Sequence, residues 1–405
     1  MTAVMQGVRV LEVAEHTFVP AASALLADWG AEVIKIEHVE RGDAMRGLAS
    51  SGIAVMGKDV HVLLEHSNRG KQSLGLDLTS PDGLDILAKL AATCDVFLTN
   101  KLPSVRTKLK IDVEDIRAAN PDIIYVRGTG QGERGPEADR GAYDALAYWY
   151  RAGVSKGMMY PDDETPPPPP APAFGDSIGA MTIAGGIMGA LFHRERTGEA
   201  TTVDVSLLSV GLWSMGAALA LSLQNDVPWA PPPRNSPPGN PLVNTYQTSD
   251  GRFVSLCCLQ PGAYWAEACE KLGIPELATD ERFADVLSLM GNVAEATAAV
   301  REAIASRTAD EWRERLSTFS GQWAMVQDTI EAAADQQAVA NGYVSDCATS
   351  AGVPFQLATA PVQYGGVPAQ AQRAPEFNEH GDAILEGLGL DWDTIVDLKV
   401  RGVVA

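Results

Sequence analysis

A chain of 405 residues, 46% hydrophobic and 20% charged, has room for two globular domains and a sizeable core. Its net charge of −21 argues against nucleic acid and against an anionic membrane as partners, because both select a surplus of Lys and Arg. The five cysteines lack paired spacing and suggest neither a disulfide framework nor a metal site; they read as small buried residues of a reducing cytoplasm.

Residues 7–14 (GVRVLEVA) and 31–37 (AEVIKIE) are short apolar runs suited to buried strands. Between them Val19, Ala22, Leu25, Leu26 and Trp29 fall at helical spacing, with Pro20 near the start and Gly30 at the end. This opening stretch is a β-α-β unit, hence a parallel pair with a right-handed crossover. Strand-like segments at 73–76, 95–98 and 123–126 alternate with helical ones at 81–92 and 113–119, which implies an open α/β sheet with helices on both faces. The turn after the first strand, Glu15-His16-Thr17-Phe18-Val19-Pro20, lacks the GxGxxG that brings backbone against a dinucleotide pyrophosphate, which argues against an NAD enzyme. No secretory signal is expected, since no basic segment followed by an apolar one stands at the N-terminus.

In this acidic chain Lys101, Arg106, Lys108 and Lys110 fall within ten residues without one acid, and Arg69 and Lys71 precede the third strand. A solvated basic face is one reading. The other places these cations at strand carboxyl ends, where open α/β sheets bind ligands, to hold the phosphates of a nucleotide-like cofactor.

Residues 166–172 (PPPPPAP) read as a polyproline II surface loop. After it, Gly175-Asp176-Ser177-Ile178-Gly179-Ala180 opens an uncharged run over residues 177–192. Asp176 suits a helix N-cap, since its side chain accepts from a first-turn N–H. A carboxylate held at the positive end of a helix dipole also suits a nucleophile. Residues 205–225 carry no charge and are long enough to cross a bilayer, but their serines and the lack of a following basic flank favour a helix buried in protein. A second proline-rich break, 228–241, reads as a linker. Beyond it come a hairpin signal around Ser249-Asp250-Gly251 and helical patterns at 264–272, 294–305, 309–318 and 330–341, a smaller α+β domain.

Several segments together carry a specific resemblance: Gly7-Val8-Arg9-Val10-Leu11-Glu12, residues 26–37 (LADWGAEVIKIE), Arg41-Gly42-Asp43-Ala44-Met45-Arg46, Asn68-Arg69-Gly70-Lys71-Gln72-Ser73, the Gly175-Asp176 pair, Thr197-Gly198-Glu199-Ala200 and Glu379-His380. Over nearly its whole length the chain resembles the class III CoA-transferase family, which includes formyl-CoA transferase, the carnitine CoA-transferases and α-methylacyl-CoA racemase. The resemblance implies a large domain (1–227 and 331–405) whose Rossmann-like open parallel sheet is made from both chain ends, a small α+β domain at 228–330, and an interlocked ring-like homodimer. It implies an acyl-CoA:carboxylate CoA-transferase of the cytoplasm that takes an acyl-CoA donor and a carboxylic acid acceptor, with coenzyme A and no metal.

The family's nucleophile falls on Asp176, with Tyr143 and Asp144 beside it. CoA-contacting positions fall on Glu15, Thr17, Phe18, His38, Arg46, Gln72, Asn100, Lys101, Arg106 and Lys108. Glu15 and Phe18 stand where a His and a small residue are common, and 237–244 holds prolines where some transferases carry a glycine lid. The racemase branch uses a His where this chain has Tyr143, and a phenol with a pKa near 10 is a poor proton shuttle at neutral pH. A racemase working through Asp176 and another base, with His16 the nearest candidate, is the alternative; a CoA-binding protein without turnover is a third.

Overall fold

The computed structural model describes residues 3–47, 59–234 and 236–405. Six strands, β1 (Arg9–Val13), β2 (Glu32–His38), β3 (Gln72–Leu76), β4 (Val96–Thr99), β5 (Ile124–Thr129) and β6 (Thr202–Ser206), form one sheet in the order β3-β2-β1-β4-β5-β6. Every neighbouring pair is parallel. Val10, Leu11, Val33, Ile34, Phe97 and Leu98 are at most 1% exposed. Continuous apolar strands of this kind belong to a parallel sheet covered on both faces.

Alternate residues feed two apolar layers. Val10, Val33, Val96 and Leu98 pack with helix α1 (Phe18–Asp28) and the long Phe174–Thr197 helix. Leu11, Ile34, Leu74 and Phe97 pack with the Pro81–Ala91 helix and with the C-terminal helices Gly381–Gly387 and Trp392–Val400. A sheet drawn from both chain ends is not what forms: all six strands lie between Arg9 and Ser206, and the C-terminal segment joins through helices and an isolated bridge from Val404 to Leu76.

Strand order reverses between β1 and β4. The chain runs outward from β1 to β3 and then crosses back, so the loops after β1 and β4 diverge and leave a crevice at their carboxyl ends.

The chain forms two compact units, Met1–Pro231 with Gln336–Ala405, and Pro232–Asp335. In the second, strands Val243–Gln247 and Phe253–Cys257 form the expected antiparallel hairpin, extended by Trp323–Met325. Trp265, Phe283 and Trp312 fill its core.

Three local expectations change. The 330–341 pattern is two short helices, Thr329–Ala334 and Gln336–Ala340, parted where Asp335 turns extended at ψ +131°. Residues 205–225 are not one buried helix: helices Leu207–Ser214 and Gly216–Asn225 meet at 71°, and no residue of the second is buried. Cys257 is exposed rather than buried.

Candidate active site

The turn between β1 and α1 is short and strained. His16 adopts a left-handed φ of +68°, which costs a residue bearing a Cβ roughly 1–2 kcal/mol. His16 N–H donates to Asp43 Oδ1 at 3.0 Å and Glu15 N–H to Asn100 Oδ1 at 3.2 Å. Asn100 Nδ2 in turn donates to the Glu15 carbonyl at 2.7 Å. One amide side chain thus ties the loops after β1 and β4 together across the switch point.

Asp43 is fixed by a buried ion network. Lys35 Nζ lies 2.7 Å from Asp43 Oδ2 and 2.7 Å from Glu12 Oε1, and Lys71 Nζ lies 2.7 Å from Glu12 Oε2. All four side chains are buried. The β1–β2 register sets Glu12 opposite Lys35, which explains a charged residue within each apolar strand. Burial pushes the Glu12 carboxyl up, but the two ammonium groups outweigh it and hold it below the usual range. Asp43 is likewise held low against burial by Lys35 and by the N–H groups of Met45 and His16. Burial lowers Lys35, yet its two carboxylate partners leave it raised. Lys71 has Glu12 alone and is repelled by Lys35, so burial brings it down to about 7.

The second charge cluster is different. Asp176 is the third residue of the Phe174–Thr197 helix, not its N-cap; Ala173 holds that position and its side chain makes no cap bond. The cap arrives from outside, where Asp144 Oδ2 accepts Gly175 N–H at 2.9 Å. Asp144 immediately precedes a π-helical turn, Ala145–Arg151, a geometry frequent at functional sites.

Only glycine permits this approach. A Cβ on residue 175 would lie 2.4 Å from Asp144 Oδ1 and from the Tyr148 ring, and one on residue 179 would lie 2.3 Å from the Phe18 ring. The glycines around Asp176 therefore let Asp144 and α1 close on the first turn of the long helix. Burial raises the Asp144 carboxyl, opposed by the N–H groups of Gly175 and Asp176. Asp176 has no such relief. Burial first, and the Asp144 charge second, push it up to about 7.

Two cavities meet at Asp176, and His16 and Tyr143 line both. The first, about 540 Å³, opens at the switch point and is walled by Glu15, Phe18, Arg41, Asn100 and Lys101. The second, about 640 Å³, is walled by Thr17, Met45, Leu63, Asp144 and the proline loop. A third, about 180 Å³, contains His38 and shares Glu15, Arg41 and Lys101 with the first. The His16 and Tyr143 rings meet edge-on at 5.4 Å.

The structure thus gathers Asp176, Tyr143, Asp144, Glu15, Thr17, Phe18, His38, Asn100 and Lys101 around connected space, but leaves four predicted contacts elsewhere. Arg106 is buried, with Nη2 2.6 Å from Glu133 Oε2 and Nη1 donating to the Lys101 carbonyl, so its charge is already matched. Arg46 clamps Glu37 through two bonds of 2.7 and 2.8 Å. Gln72 opens β3 and lies beside Arg9 and His380, at the opposite end of the sheet from the crevice. Lys108 is exposed on the Pro103–Leu109 helix and lines none of the three cavities. Arg69 and Lys71 also precede β3 rather than follow a strand, and pair internally with Asp28 and Glu12.

Glu15 does not act as a donor. Its carboxylate accepts from Lys101 at 2.5 Å and from Arg41 at 3.2 Å, so it occupies the two cations of the cleft. Arg41, unassigned from sequence, follows the carboxyl end of β2, and that placement was the available signal. For the cap by Asp144 no sequence signal existed, because its partner lies 31 residues away.

The chain belongs to CoA-transferase family III, whose sequence pattern matches residues 5–381. It is similar to the (R)-2-hydroxy-4-methylpentanoate CoA-transferase of Clostridioides difficile, at 29% identity over 99% of each chain. It is also similar to the cinnamoyl-CoA:phenyllactate CoA-transferase of Clostridium sporogenes, at 29% identity over 98% of this chain and 96% of that one. A solved CAIB/BAIF family protein from Brucella suis superposes with a TM-score of 0.79 at 28% identity, over 96% of this chain and 100% of that one. The protein is a CoA-transferase, and the binding protein without turnover is set aside.

Proposed function

We propose that the protein moves coenzyme A from an acyl-CoA donor to a carboxylic acid through an aspartyl-CoA thioester on Asp176. The observation that carries this is the position of Asp176 where a cleft holding Arg41 and Lys101 meets an apolar cavity. The cations suit the anionic cofactor and the apolar walls suit the acyl group.

The ionised Asp176 oxygen attacks the donor thioester carbonyl; the C–S bond breaks, leaving an acyl-aspartyl anhydride and CoA thiolate. Thiolate then attacks the aspartyl carbonyl, the anhydride C–O bond breaks, and the donor acid leaves. The acceptor carboxylate reverses both steps. No proton or metal enters the balance, and exclusion of water preserves each activated intermediate. A carboxyl near pKa 7 is both substantially ionised at neutral pH and more basic than a free aspartate.

We place the enzyme in the cytoplasm, as an interlocked homodimer. Trp213 is 87% exposed and Leu223 75%, an apolar surface that suits coverage by a second copy. Hydroxylamine added with acyl-CoA should give a hydroxamate mapped by mass spectrometry to Asp176; a label on another residue refutes the mechanism.

The racemase reading keeps one observation in its favour, the position of His16 in both cavities with Asp176. Its test is 2-methylacyl-CoA in deuterated water. No α-deuterium above background is expected, and incorporation that is lost in His16→Ala establishes the racemase instead.

A further inference from the structure

Among the described residues, no Lys or Arg lines the larger cavity beside Asp176. Its ionisable lining is His16, Tyr143 and the two carboxylates Asp144 and Asp176; Thr17 adds a hydroxyl, and Met45, Leu63, alanines and prolines supply the rest. Arg41 and Lys101 line the other cavity and are engaged by Glu15.

The proline wall is preformed. Trp149 Nε1 and Ser155 Oγ both donate to the Pro167 carbonyl, at 2.7 and 2.8 Å, and both residues are buried. Prolines 169, 170 and 172, which follow, have fixed φ and little freedom to lose when a ligand packs on them. The cavity's 640 Å³ lies within the range of small-molecule sites.

We propose that this cavity receives the acyl group and selects uncharged aliphatic or aromatic monocarboxylic acyl groups over dicarboxylic ones, an inference that rests on the transferase reading. A second carboxylate on the acyl chain would enter a site lined by two carboxylates and, among the described residues, by no Lys or Arg. Burying it unpaired is costly, whereas a branched or aromatic group gains contact with Leu63, Met45 and the prolines.

The test is exchange of isotope-labelled free acid into its own CoA thioester by the full-length enzyme, so that no acceptor need be known. Isovaleryl-CoA and 3-phenylpropanoyl-CoA should show kcat/KM at least about 100-fold above succinyl-CoA and glutaryl-CoA. Leu63→Lys should narrow that ratio about tenfold or more by supplying the missing cation. Ala145→Phe should lower 3-phenylpropanoyl exchange about tenfold more than it lowers acetyl exchange. Dicarboxylic donors exchanged as fast as apolar ones overturn the proposal, as do two folded variants that leave the ratios unchanged, which would seat the acyl group in the other cavity. Absence of exchange with every donor refutes the transferase reading itself.

Discussion

Two groups of ionisable side chains surround the His16 turn, one bonded beneath it and one sharing its cavities, and they behave in opposite ways. Glu12, Lys35, Asp43 and Lys71 set two carboxylates against two amines at 2.7 Å, and both carboxylates are held low although Lys71 is itself lowered to about 7. Asp144 and Asp176 share one helix N-terminus without a cation, and both carboxylates are raised. The balanced set builds the turn that faces the cleft. The unbalanced pair leaves Asp176 with a poorly compensated charge, as the proposed attack requires. Electrical balance, rather than burial alone, separates the two sets of carboxylates.

The sharpest way to break this contrast is to remove the Asp176 carboxylate. Asp176→Ala should reduce CoA exchange by about 10⁴-fold or more, with CoA affinity within a few-fold by calorimetry, because the thiol end contributes little to holding the nucleotide. Near-wild-type turnover would end the assignment.

Removing one member of the balanced set should act on stability instead. Glu12→Gln leaves Lys35 and Lys71 without their shared carboxylate and should cost about 3–5 kcal/mol in urea unfolding. A cost below about 1 kcal/mol would mean that the network is not what holds the strands and the turn.

Asp176→Asn should do the reverse. A carboxyl raised to about 7 in the fold contributes stability that is complete below its unfolded pKa near 4 and is lost as pH rises through 7. The variant should therefore gain little over wild type at pH 4, and on the order of 3 kcal/mol at pH 8 by thermal unfolding. A gain that is the same at both pH values would contradict the raised pKa.

The smallest effect concerns the cleft. Glu15→Gln frees Arg41 and Lys101 from their internal anion, so CoA should bind about three- to tenfold tighter at low salt. That gain should shrink as ionic strength rises. Weaker binding would make Glu15 a cofactor ligand rather than a competitor.

Much of the large unit's sheet could be read from residue patterns. Apolar runs and helical spacing placed β1, α1, β2, β4 and β5, because a doubly covered parallel strand leaves a continuous apolar signature. The glycines around Asp176 were visible in the sequence, although they act by admitting Asp144 and Phe18 rather than by making a cap.

What escaped was pairing across distance. Arg106 looked like a free cation because its partner, Glu133, comes 27 residues later. Lys71 looked like a phosphate ligand, while Glu12 stands 59 residues before it. The π-helical turn at Ala145–Arg151 leaves no sequence mark, since a shift from i+4 to i+5 bonding changes no residue type.

The direct test of the central contrast is the titration of Asp176, followed by carbon-13 NMR of aspartate carboxyls and assigned by loss of the signal in Asp176→Asn. The account predicts a midpoint near 7 in the wild type, falling in Asp144→Asn, where the amide oxygen still accepts from Gly175 but the second charge is gone. A midpoint near 4 in the wild type, or one unmoved by Asp144→Asn, would contradict it.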